Sequence, residues 1–317
     1  MARVGWILVS LGVIALLLAM LELLRPPEVN MFWTAFFDAG HVPLFGILSL
    51  ALLRLSFALW PQLHRILHYA LAFVAAMSVG VAVEALQFFG PRDAELSDIV
   101  RNACGSAAML LAACAHDPVL QLRRRRRALA LALAVVVFLA PCVPVVSIAL
   151  AYRARDAAFP RLADFESRWE LRFVRAYQAQ LERTTPPAGW ARPAATRVGR
   201  VTFLRARYPG LALVEPAPDW SAYDRLVFAA YSGLQTPVQL VVRIHDIHHD
   251  NRYSDRFNRT ISIAPGANRI VVPLADVRAA PRGREMDLTR IRQLAIFAVQ
   301  PPEPFSLYFD DFRLESD

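Results

Sequence analysis

Stretches apolar and long enough to cross a lipid bilayer crowd the first half of this 317-residue chain and are missing from the second. A hydrocarbon core asks for about 17–25 consecutive, mostly apolar residues per helix. Residues 6–24, 41–60, 66–89, 99–115 and 128–151 each meet that demand. The pattern predicts an α-helical membrane domain of five transmembrane helices over residues 1–152 and a domain of different construction over 153–317. No small-residue cleavage site follows the first stretch, and Glu22-Leu-Leu-Arg25-Pro-Pro reads as a membrane exit, so it is read as an uncleaved helix.

The net charge of +8 is carried by arginine, because the chain has no lysine. A Schiff-base or general-base lysine is therefore excluded. Arg123 to Arg127 form a run between the fourth and fifth stretches, and positive charge beside spans marks the cytoplasmic side. With alternating spans, Arg3 and Arg65 share that side, the N-terminus is cytoplasmic, and everything after Ala151 lies outside. Arg153 and Arg155 run against this bias, but at the head of a long exported domain it acts weakly. The position of the arginine run between spans argues for membrane lipid and against nucleic acid as a partner. Cys104, Cys114 and Cys142 all fall in the apolar stretches, so no disulfide framework is expected after Ala151. Cys104 points about 240° away from Asp98 around its helix, which makes it a packing residue.

Glu84, Gln87, Arg92, Asp98 and Asn102 interrupt the apolar half around a single turn. Ionisable groups at span ends are costly and usually face a bundle interior, a cavity or a substrate path. Glu84 and Gln87 share one face of the third helix, while Asp98, Asn102 and Gly105 share one face of the fourth. Gly90-Pro91 ends the third helix, Ser97 or Asp98 can cap the fourth, and Arg92 is left at the turn, able to bridge carboxylates through forked hydrogen bonds. Asp38 and His41 fall on the same membrane side, and an imidazole exchanges its proton near neutral pH.

Glu84-x-x-Gln87, Pro91-Arg92, Ser97-Asp98 and Asn102-x-x-Gly105, preceded by Asp38-x-x-His41 and Phe45, resemble the VanZ-like family of small bacterial membrane proteins over about residues 1–115. The family often has a lysine directly after the aspartate, where this chain has Ala39. The resemblance implies a bacterial inner-membrane, multi-pass protein of the cell envelope, in a family named for glycopeptide resistance. Its polar site would comprise Asp38, His41, Glu84, Gln87, Arg92, Asp98 and Asn102. Three readings of that site stay open. It is interhelical glue in a membrane scaffold, an acid/base centre using Glu84 or Asp98 with His41 on a lipid-linked envelope substrate, or a transport or lipid-binding site.

After Tyr152 the texture changes to short alternating segments broken by proline and glycine. Residues 201–207, 225–230, 238–245, 259–263, 269–272, 293–299 and 306–314 read as strands, with turns at Pro209-Gly210, Pro265-Gly266 and Pro281-Arg-Gly283. Many short strands without long helices predict an all-β sandwich. Ala163-Asp164-Phe165-Glu166, Asp219-Trp220-Ser221-x-Tyr223-Asp224, Arg243-Ile-x-Asp246, Asp255-Arg256-Phe257-Asn258, Pro265-Gly266-x-Asn268 and Tyr308-Phe309-Asp310-Asp311 resemble the galactose-binding-like jelly rolls of carbohydrate-binding modules over about residues 162–314. That resemblance implies an envelope glycan as partner, and a structural calcium at Glu166 with Asp310 or Asp311, since hard oxygen donors suit calcium. His245, Asp246, His248, His249 and Asp250 form the densest His/Asp run. No HExxH or CxxC pattern supports zinc there, and the run reads as a solvated loop or as the rim of a glycan face made by Arg243, His245, Asp246, His248, Tyr253 and Arg256.

Overall fold

The computed structural model describes the backbone of residues 2–87, 96–193 and 195–317. The chain divides into two compact units, Met1–Ala149 and Leu150–Asp317.

Among the described residues, six α-helices precede the first strand, where five were predicted: α1 (Ala2–Leu23), α2 (Met31–Leu59), α3 (Arg65–Gln87), α4 (Leu96–His116), α5 (Arg124–Leu139) and α6 (Val143–Ala158). The extra helix arises because the fifth apolar stretch is divided. Ala140–Cys142 tighten into a 3₁₀ turn, where Pro141 and Pro144 supply no N–H to the helical ladder. Arg124–Ala158 still counts as one apolar run, and with Met31–Leu59, Arg65–Ala85 and Leu96–His116 it makes four helical stretches long and apolar enough to cross a membrane. Val4–Met20 in α1 is shorter.

Helix α2 begins ten residues before the predicted second span. Asn30 caps it by accepting the Trp33 amide at 2.9 Å, and Phe32, Trp33, Phe36 and Phe37 continue it as a mutually packed aromatic cluster. Asp38 and His41 thus lie inside a helix, one turn apart. The buried residues of α2 include Val42, Phe45, Gly46, Leu48, Ala51 and Leu53. Helix α4 packs so closely on this face that a Cβ on Gly105 would collide with the Val42 carbonyl oxygen. Small residues allow such approach between apolar helices. The outer faces of the helices carry exposed Leu8, Leu16, Leu67, Val74, Leu129 and Val136.

The second unit is a sandwich of two antiparallel sheets. One has the order β3 (Ala179–Thr184), β4 (Val198–Phe203), β11 (Phe305–Glu315), β6 (Arg225–Ser232), β9 (Gly266–Pro273), with β1 (Arg161–Ala163) paired to β11. The other has the order β2 (Val174–Tyr177), β5 (Gly210–Val214), β10 (Ile291–Phe297), β7 (Val238–Asp246), β8 (Phe257–Ile263). Alternating residues of both sheets meet in a core that includes Trp220, Phe165, Phe203, Phe228, Phe309 and Phe312. Each of the seven predicted strands has a counterpart, and β1, β2, β3 and β5 are additional. Strand β5 replaces the expected turn at Pro209-Gly210. Gly210 is paired so tightly that a Cβ there would run into the Ile296 carbonyl oxygen, so the glycine serves close strand approach. At Gly266, by contrast, φ is +84°, a conformation glycine adopts without strain, and the predicted turn forms there.

Candidate functional site

In the helical unit, α2 and α4 bring together Asp38, His41, Asp98 and Asn102. His41 Nδ1 lies 3.0 Å from Asn102 Oδ1, and its Nε2 lies 3.7 Å from Asp98 Oδ2. The imidazole also lies parallel to the Phe45 ring. Asn102 is buried, and a Cβ on Gly80 of α3 would come within 2.9 Å of its Nδ2. Glu84, one turn further along α3, is buried.

Arg92 was expected to bridge the carboxylates. Arg92 and the Gln87 side chain lie outside the described residues, and the bridge observed is made by Arg101. Its guanidinium pairs with Asp98 on its own helix and with Asp38 Oδ2 across the helix interface at 3.2 Å. The sequence held the signal for this residue. Arg101 is three positions after Asp98, hence on a neighbouring strip of the same helix, but Arg92 beside a proline turn drew attention first. A second polar group, not foreseen, ties α3 to the end of α4: Arg65 Nε donates to Asp117 Oδ2 at 2.7 Å and Tyr69 Oη to the same oxygen at 2.8 Å.

In the sandwich, the outer face of the β2-β5-β10-β7-β8 sheet carries a cleft of about 840 Å³. Strand register explains its shape. Tyr177, Gly210, Phe297, Val241 and Thr260 line up across the five strands, and Ala212, Ala295, Arg243 and Asn258 form the adjacent row. Gly210, Ala212 and Ala295 on β5 and β10 hollow the surface, and the larger Tyr177, Phe297, Arg243 and Asn258 stand around them. Tyr177, Tyr208 and Tyr253 offer exposed rings. Arg243 Nη2 donates to Gln293 Oε1 at 2.7 Å, while Arg256 lies over the Tyr253 ring. Arg243 Nε, Arg256 Nε and Asn258 Oδ1 are buried and have no hydrogen-bond partner among the described residues. Burial, helped by the nearby positive charge of Arg256, lowers the pKa of Arg243.

Of the six residues expected on a glycan face, Arg243, Tyr253 and Arg256 line this cleft. His245 is next to it, with Nε2 3.2 Å from Gln293 Oε1, and burial lowers its pKa. Asp246 and His248 are elsewhere. Strand alternation turns Asp246 to the opposite face of β7, where it accepts Arg284 Nη1 at 2.5 Å, Arg284 Nη2 at 2.9 Å and the Asp287 amide at 2.8 Å. Burial alone would raise the Asp246 carboxyl, and these donors override it and lower its pKa. Arg284 Nε reaches Asp255 Oδ1 at 2.6 Å, and this contact above all holds the Asp255 carboxyl far below its usual range. His248 is exposed beside Asp287. Tyr177, Tyr208, Gln293 and Phe297 were not singled out from sequence. Two of them stand on β10, where Gln293, Ala295 and Phe297 alternate with core residues, and that period of two was the available clue.

Among the described residues, the set of three possible metal-ligating side chains whose donor atoms lie within 4.8 Å of one another is His249, Asp250 and Asp255. The residues expected to hold calcium are arranged differently. Asp311 is engaged by Arg313. Glu166 Oε1 accepts the Arg197 amide at 3.0 Å. Asp310 is buried with Arg192 Nη2 3.3 Å away. Burial pushes the Asp310 carboxyl up to about 7 against the pull of Arg192, and the charges of Asp164 and Glu166 add to the rise.

No protein-family model matches the chain, and no curated protein matches it. Solved structures similar to it include an exo-β-agarase (TM-score 0.41, 17% identity, 50% of this chain and 25% of the other). They also include a family 11 carbohydrate-binding module from Clostridium thermocellum in complex with a β-1,3-1,4-mixed-linked tetrasaccharide (TM-score 0.37, 16% identity, 49% of this chain and 94% of the module). A family 30 carbohydrate-binding module of a Clostridium thermocellum cellulosomal cellulase is a third (TM-score 0.36, 14% identity, 46% of this chain and 92% of the module). This chain thus spans about a quarter of the agarase, and its similarity to all three is at the level of general architecture.

Proposed function

We propose that this is a bacterial envelope protein whose helical unit is embedded in the inner membrane and whose β-sandwich binds glycan in the cleft of its five-stranded sheet. One observation carries the binding reading. Three buried polar atoms without a partner, Arg243 Nε, Arg256 Nε and Asn258 Oδ1, belong to side chains that line a single cleft. Buried polar groups almost always have partners, and a polyhydroxylated ligand supplies donors and acceptors together. Exposed tyrosine rings beside these atoms offer flat apolar surface for the faces of sugar rings. The full chain, solubilised in a detergent without a sugar headgroup, should bind members of an envelope-oligosaccharide array. Asn258→Ala should abolish that binding without lowering Tm. No binding to any member would make the cleft a protein-interaction surface instead.

The membrane part of the reading is supported by the four long apolar helical stretches and by their exposed leucines and valines, a surface that water does not tolerate at this extent. The VanZ-like resemblance belongs to the same reading and rests on the residues quoted for it. A reporter active only outside the cytoplasm should be active when fused after Asp317 and silent after Arg127. The reverse pattern would overturn the orientation. Within this reading, a structural calcium would be held by Glu166 with Asp310 or Asp311, as the resemblance implies.

A second reading is favoured by one geometry, the His41 ring held by Asn102 with Nε2 turned toward Asp98. An imidazole oriented beside a carboxylate is the pairing that acid/base work on a lipid-linked substrate uses. Asp98→Asn keeps the size and hydrogen bonding of the side chain but cannot exchange a proton. If the cluster is catalytic, this variant folds normally yet loses the growth phenotype under glycopeptide challenge. A folded variant with the full phenotype leaves the cluster as a scaffold.

A further inference from the structure

The arginines of the cleft differ from several other partly buried arginines of the sandwich. Arg284 sits between Asp246 and Asp255, Arg192 faces Asp310, and Arg313 pairs with Asp311 and Glu315. Arg243 and Arg256 face no carboxylate: Arg243 donates to the neutral Gln293 amide, and Arg256 lies over the Tyr253 ring. Arg259 also lines the wall but is paired with Asp276 at 3.6 Å, and among the described residues no Asp or Glu lines the cleft. Arg243 and Asn258 are directly opposed in the β7–β8 register, and Arg256 lies two residues before Asn258, so the cationic groups converge on one end of the cleft. The tyrosines Tyr177 and Tyr208 stand toward the other end.

We infer that the cleft selects an acidic saccharide, with the carboxylate or sulfate oxygens of the sugar received by Arg243 and Arg256 while neighbouring rings lie along the tyrosines. The inference rests on the glycan-binding reading above and specifies its ligand. Three observations support it: two half-buried guanidiniums close enough to repel one another, Nε groups of both lacking an acceptor, and a wall without negative charge. A neutral sugar can satisfy the hydrogen bonds but leaves the two cations uncompensated in a partly desolvated place, whereas an oxyanion does both. Arginine forks match planar oxyanions bidentately.

The test compares ligands of one backbone that differ only in charge: cellotetraose, β-1,4-linked tetraglucuronate and 6-O-sulfated cellotetraose, titrated calorimetrically against the full chain in a detergent without a sugar headgroup. At least one charged ligand should bind at least about tenfold more tightly than cellotetraose, a difference of about 1.4 kcal/mol. Its affinity should fall as salt rises, since exposed charge is screened. The carboxylate and sulfate arms identify which oxyanion is preferred. Arg243→Gln and Arg256→Gln should each remove most of the preference, and Tm of each variant confirms that it is folded. Equal binding of neutral and charged ligands would overturn the acidic selection and leave glycan binding standing. Failure of all three, together with failure of the wider oligosaccharide array, would overturn glycan binding itself.

Discussion

The polar cluster between α2 and α4 and the cleft on the five-stranded sheet are both built from charged and amide side chains on an apolar framework, but one is closed and the other open. In the helical unit, Arg101 answers Asp38 and Asp98, and Asn102 answers His41. In the cleft, arginine and asparagine atoms are buried without an answer. A closed network stabilises and orients its own members, and removing one strands the rest. An open set contributes little to the fold and leaves its hydrogen-bonding capacity for another molecule. The two sets thus differ in satisfaction of polar groups rather than in residue type.

The largest effect should come from breaking the sandwich's own closed network. Arg284→Ala strands Asp246, whose side chain is fully buried, and loss of one partner of a buried pair costs roughly 3–5 kcal/mol. The sandwich transition in a thermal melt should drop sharply at neutral pH. Because Asp246 and Asp255 have lowered pKa values in the fold, the stability they contribute is present above their ordinary values and is lost as pH falls through the folded ones. The difference between Arg284→Ala and the parent should therefore shrink in strong acid. A neutral-pH melt unchanged by the substitution would show that a charged network need not be closed to be tolerated.

Arg101→Ala is the same experiment in the helical unit. Its guanidinium retains some exposure, so the cost should be smaller, about 2–3 kcal/mol, below the range for fully buried pairs. It would be read as lowered resistance of the helical unit to denaturation in detergent. Arg243→Gln, in contrast, should leave the sandwich melt unchanged or slightly improved, because it relieves repulsion from Arg256. A large loss of stability in Arg243→Gln would break the comparison.

A separate effect concerns Asp310, which belongs to neither class. Its carboxyl rises from an ordinary 3.8 to about 7, so the fold favours the neutral form. The stability linked to it is fully present below about pH 4 and is lost as pH rises through about 7. Asp310→Asn should flatten that decline in Tm between pH 5 and 8. Millimolar calcium should raise Tm of the parent above pH 7 and leave Asp310→Asn unmoved. Absence of a calcium effect would mean that Arg192 alone serves this carboxylate.

How much was legible beforehand varied with the range of the signal. The apolar lengths marked the helical region, and the alternation from residue 225 onward marked most of the sandwich, because both depend on local periodicity. The division of α5 from α6 was missed because hydropathy does not register the missing N–H of Pro141 and Pro144. Strands β2 and β3 were missed because residues such as Arg175, Gln180 and Glu182 supply too little apolar pattern, and pairing with β5 and β4 completes them. In the cluster, Asp38, His41, Asp98 and Asn102 are brought together by α2 and α4, whereas Arg101 was not singled out and Arg92 lies outside the described residues.

By itself the sequence determined which half is apolar enough for helices of membrane length, that arginine carries all the basic side-chain charge, and that the second half alternates as strands do. These are properties of composition and of periods a few residues long, and no fold is needed to express them. Only the tertiary structure decided that Arg101 links Asp38 to Asp98, that Asp246 turns away from the face its neighbours Arg243 and His245 occupy, and that Tyr177 and Asn258, 81 positions apart in the chain, share one cleft. Those facts depend on strand register and helix approach, which are set by contacts distant in sequence. Whether a buried polar atom has a partner is decided at that level, because the partner, when there is one, comes from another part of the chain.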